Sequence, residues 1–116
     1  MSGNSTTGLE ATEAECAANA VAPRVSLASM EAKIAARYDF TADTALQQAP
    51  IHDALKLLSI CIIVMENGFS IIGKSAPASP ENFNAELGRK LAYEDAIRQL
   101  WPLEGYLLRT ELAAPH

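Results

Sequence analysis

Pro77 and Pro80, three residues apart, force a boundary in the chain, because neither supplies a backbone N–H and each drives the residue before it out of the helical region. The segment after them reads as a helix. Ser79 is placed to cap it, Pro80 suits a first helical position that needs no donor, and Glu81 sets a negative charge against the positive end of the helix dipole. The helix is expected to begin at Pro80 and run to about Trp101, before Pro102. A kink there leads into a final short helix carrying Leu103, Tyr106, Leu107 and Leu112.

At about 100° per residue, Phe83, Leu87, Leu91, Ile97 and Trp101 gather on one face of the long helix. A second face collects Ala85, Gly88, Ala92 and Ala96, small residues that let a neighbouring backbone come close. The helix is therefore read as central, or as shared with a partner subunit. Glu94 falls within the arc of large residues and must find a partner. The plainer reading pairs it with Arg98, one turn on, at the rim of the core; the sharper one makes it a functional carboxylate in a partly apolar cleft.

Upstream, Ser26 can cap a helix through Tyr38, with Leu27, Met30, Ile34 and Tyr38 on a single stripe. Thr41 can cap a short turn over 42–48. A third helix is expected over about 53–66, whose second half, Leu57 to Met65, has almost no wettable face. Its length and the Asn67-Gly68 stop favour a buried helix, while its β-branched residues would also suit a buried strand. Phe69 to Ile72 is extended in either case, paired with an unidentified strand or with its own copy in a partner chain. The resulting expectation is a mainly α fold, a compact domain of three to four helices over residues 25–113. It has at most one short strand or hairpin near 69–73.

Residues 1–24 are read as a disordered acidic leader, rich in Ser, Thr and Ala, without hydrophobic periodicity and without the basic start of a signal peptide. The charge of −5 over 116 residues lacks the basic field that nucleic acid requires. No apolar run approaches the ~18 residues of a membrane span. Cys16 and Cys61 give no disulfide framework, and the isolated His52 and His116 give no metal site. No cofactor is expected.

Gly68 to Ser75 matches the spacing G-x-x-x-x-G-K-S of a phosphate-binding loop. The context rejects it, since Pro77 and Pro80 come where a helix should open and the loop is apolar. Lys74 is then a surface residue after a strand.

The blocks Asn67-Gly-Phe69, Gly73-Lys-Ser75, Pro80-Glu-Asn-Phe83, Glu86-Leu-Gly88-Arg-Lys90, Ala92-Tyr-Glu-Asp-Ala-Ile97 and Trp101-Pro-Leu-Glu-Gly-Tyr-Leu-Leu108 stand in fixed order. In them the chain resembles a small bacteriophage protein family, named for gene product forty-nine of one podophage and product sixty-six of another, over about residues 25–112. The resemblance implies an origin in tailed phages or prophages. It carries over no catalytic residue.

Three classes of function are compatible with these residues. The first is a non-enzymatic accessory protein, without catalytic residues, that acts in the infected host cytoplasm by binding a host or phage protein; separately, the small-residue stripe and the lone strand suggest self-association as a homodimer. The second is a binder or sponge for a signalling nucleotide, with Lys74, Arg89, Lys90 and Arg98 on phosphates and Trp101 or Tyr106 stacking on the base. The third is a hydrolase, for which Glu86, Glu94 and Asp95 point in different directions on one helix. The candidate binding residues are thus Lys74, Arg89, Lys90, Glu94, Arg98, Trp101 and Tyr106, with Trp101, Leu103 and Tyr106 also able to seal the core.

Overall fold

The computed structural model describes residues 8–19 and 22–115. The chain divides into two compact units, Ile34–Leu100 and the described parts of 1–33 and 101–116. In chain order the elements are α1 (Gly8–Asn19), α2 (Leu27–Glu31), β1 (Ile34–Thr41), α3 (Ala42–Ala45), β2 (Ser59–Met65), β3 (Ser70–Ser75) and α4 (Ala85–Ala113). Short 3-10 turns at Asp53–Leu57 and Pro80–Asn82 precede β2 and α4.

The unit Ile34–Leu100 is a three-stranded antiparallel meander, ordered β1-β2-β3, with the first half of α4 against one face. This corrects the mainly α expectation, because two of its helices are strands. In the segment 34–41, Ile34 and Tyr38 are four apart and fit one face of a helix, but in β1 an irregularity between Ile34 and Ala36 sets them on opposite faces, Ile34 opposite the inward Met65 and Tyr38 opposite Ile62. The helix capped by Ser26 stops at Glu31. The apolar run before Asn67 is β2, and its burial alternates, with Ser59, Cys61, Ile63 and Met65 inward. Its β-branched residues fit a pleated surface better than a helix. The partner of β3 is therefore β2, in register from Ser59 opposite Ser75 to Val64 opposite Ser70. Gly68, at φ +87°, takes the left-handed position of the turn between them, and Asn67 Oδ1 accepts the Phe69 N–H at 3.0 Å.

Three further expectations shift at α4. Its cap is Asn84, whose Oδ1 accepts the Leu87 N–H at 3.0 Å, while Ser79 and Pro80 begin the preceding 3-10 turn. The helix continues past Pro102 to Ala113 in one piece, so no separate final helix forms. Its buried residues are Ala92, Glu94, Ala96, Ile97 and Leu100, whereas Leu87 and Leu91 stay largely exposed. The small-residue stripe therefore faces the sheet. At Gly73 on β3 an added Cβ would overlap the Ala92 carbonyl oxygen and lie 2.6 Å from the Ala96 amide nitrogen.

The second unit contains α1, α2 and residues 101–113 of α4. Of the expected disordered leader, residues 8–19 form α1, with Leu9 buried, residues 22–24 lie outside any helix or strand, and residues 1–7, 20 and 21 lie outside the described residues. Arg24 pairs with Glu13 at 2.8 Å, and Lys33 with Glu104 at 2.9 Å. Ser26 and Ser29 form a reciprocal capping box that starts α2.

Candidate functional site

Helix α4 occupies the sheet face that carries Arg37, Asp39, Cys61, Ile63 and Gly73. Within it the Arg37 guanidinium bonds Asp39 at 3.0 Å and lies 4.1 Å from the centre of the Tyr93 ring. Cys61 is fully buried beside this group. Burial, and then the neighbouring Asp39 carboxylate, push its thiol from the ordinary value of 9.0 up to about 11. A thiol held un-ionised is a poor nucleophile. Because its folded pKa is raised, the stability it contributes is complete below about pH 9 and is lost as the pH climbs towards 11. Alkaline unfolding followed by circular dichroism should show that loss, and Cys61→Ala should remove this component of it.

The carboxylates of α4 have structural occupations. Glu94 is buried, with Arg98 Nη2 at 3.4 Å, the plainer of its two sequence readings. Asp95 Oδ2 accepts the Lys74 N–H at 3.0 Å, and Gln99 Nε2 donates to the Ile72 carbonyl at 2.8 Å. Together these two side chains clasp the outer edge of β3, satisfying backbone groups that an edge strand leaves open.

The cations proposed for phosphate do not converge. Gly73 turns towards α4, so its neighbour Lys74 directs its side chain to the opposite face of the sheet. Arg89 and Arg98, nine residues apart, project from opposite sides of the helix. Lys90 is half-buried, and Arg98 is engaged with Glu94. Trp101 is half-buried and Tyr106 is 77% exposed, which removes Tyr106 from the core. A pocket of about 80 Å³ opens beside Ser59, Ser75, Asn82, Phe83, Leu87 and Leu91, lined by none of these cations. It is smaller than the roughly 300 Å³ at which ligand pockets begin. Among the described residues no cluster of three or more His, Cys, Asp or Glu is arranged to hold a metal.

What sequence reasoning missed is the sheet face turned away from α4. Register places three cross-strand rows there: Phe40, Ile60 and Lys74; Tyr38, Ile62 and Ile72; Ala36, Val64 and Ser70. Tyr38 and Ile72 are each 58% exposed, and Lys74 is the one charge in the three rows. The signal was the alternation of Ala36, Tyr38 and Phe40 against Arg37 and Asp39, hidden by the helical reading of the same residues.

The model of the Phage protein (N4 Gp49/phage Sf6 gene 66) family matches residues 25–112. The chain belongs to that family. The match spans every strand of the sheet and all but the last residue of α4, and leaves α1 outside. The phage protein family suggested by the motif blocks is thus the family of this chain. Neither the comparison with curated proteins nor that with solved structures gives a match. No helix is long and apolar enough to cross a membrane among the described residues.

Proposed function

We propose that this phage protein is a non-enzymatic accessory factor that works in the infected host cytoplasm by holding a host or phage protein on the open face of its sheet. The observation that carries this reading is the row Tyr38–Ile62–Ile72, apolar across all three strands and exposed at both ends. A contiguous exposed apolar patch with an aromatic residue is the usual make-up of an interface centre. Lys74 at its border suits a partner with an acidic rim. The structural employment of Glu94, Asp95 and Cys61 supports a binding role over catalysis.

The test is affinity purification of the tagged protein from infected cells, with protein and small-molecule mass spectrometry on one eluate. Wild type should retain a stoichiometric protein partner, and Ile72→Glu should reduce its recovery about tenfold or more, as loss of an interface anchor does. Ile72 is exposed, so the variant should keep its circular dichroism spectrum and melting temperature. Equal recovery with Ile72→Glu, or a bound nucleotide in place of a protein, would refute the reading.

A further inference from the structure

The two edges of the sheet are treated differently. The outer edge of β3 is clasped by Asp95 and Gln99 from α4. Along Ala36–Phe40 of β1, the other edge, no side chain or loop among the described residues makes a comparable backbone bond. Arg37, Tyr38 and Asp39 are all exposed on it. An open, regular edge strand is a template for another strand.

We infer that this edge takes the β1 strand of a second copy, antiparallel about a two-fold axis at Tyr38, to give a homodimer with one continuous six-stranded sheet. A two-fold axis normal to the sheet allows only registers in which some residue of β1 meets its own copy, since any other would turn the helix face of one copy to the outer face of the other. Centring on Arg37 or on Asp39 sets like charges directly opposite, which destabilises a strand pair. Centring on Tyr38 sets Arg37 opposite Asp39 of the second copy, twice by symmetry, and the small Ala36 opposite the large Phe40. The pair Arg37–Asp39 within each chain, already bonded at 3.0 Å, then becomes half of a square of alternating charge. The net charge of −5 opposes self-association in general, but the paired strands themselves carry balanced charge. In the dimer the two apolar rows join through a Tyr38–Tyr38 contact.

The dimer and the partner proposed for the outer face share Tyr38 but are tested apart, because Ile72 lies on the far strand while Arg37 and Asp39 lie on the helix face of β1. The test of the dimer is sedimentation equilibrium of the full chain at high micromolar concentration. Wild type should be a dimer, and Arg37→Asp and Asp39→Arg should each weaken self-association about tenfold or more by placing like charges across the axis. An equimolar mixture of the two variants should restore a dimer containing one chain of each. Mixing leaves each chain's internal charges unrepaired, so only pairing between chains explains that rescue, and circular dichroism of each variant checks its fold. A monomeric wild type, a dimer indifferent to both single reversals, or a mixture that stays monomeric would overturn it.

Discussion

Gly73→Ala should destabilise the fold by about 3 kcal/mol or more, at the upper end of what overpacking costs, because the added methyl meets backbone rather than a movable side chain. The Ala92 carbonyl and the Ala96 amide of α4 stand where it would go, and neither can turn aside. Relief requires the helix to lift from β3, and with it the Asp95 and Gln99 bonds that close the strand edge. For a domain of this size the loss corresponds to a fall in Tm of about 12 °C or more. Gly88→Ala is the contrasting measurement. There the added Cβ would overlap Ser59 Oγ, a rotatable group, and alanine regains up to about 1 kcal/mol of helix propensity. Thermal denaturation of the two variants should separate them clearly, and equal melting temperatures would contradict a tight helix–strand contact at Gly73.

Ile97→Ala should cost about 3 kcal/mol, within the range for truncating a fully enclosed aliphatic residue whose surroundings collapse only in part. Ile97 has no exposed surface, whereas Leu91, which the helical wheel put on the same stripe, is 41% exposed. Leu91→Ala should therefore cost less than about 1 kcal/mol. Urea denaturation of both variants checks the orientation of α4 directly, and comparable losses would mean that the buried face has been misassigned.

Legibility in the sequence tracked the physical uniqueness of each signal. The boundary at Pro77 and Pro80 and the close-approach face of Ala92 and Ala96 each mark a real feature, whereas Asn67-Gly68, read as a helix stop, is the turn between β2 and β3. The start of α4 moved to Asn84 because Ser79 and Asn84 are both competent caps and only tertiary packing chooses between them. The strands were lost where their residues also fit a buried helix. Ile34 and Tyr38 fit a helix stripe, and Leu57 to Met65 is apolar enough to be buried in either form. Once those strands were read as helices, the opposing alternation in 36–40 could not be seen, and the open face stayed hidden with it. The basic residues looked like a set because they share one short stretch of sequence, yet strand alternation sends Lys74 to the other side of the sheet from Arg89 and Arg98.

The order β1-β2-β3 is the order of the chain itself. Each strand therefore finds its partner in its immediate sequence neighbour, across residues 42–58 for the first pair and residues 66–69 for the second. The second loop is short and already shaped by Gly68, so the hairpin of β2 and β3 can zip from its turn at small entropic cost. Helix α4 comes next in the chain, ready to close over the strand just formed. A protein assembled from such successive local steps has little need for distant segments to search for one another.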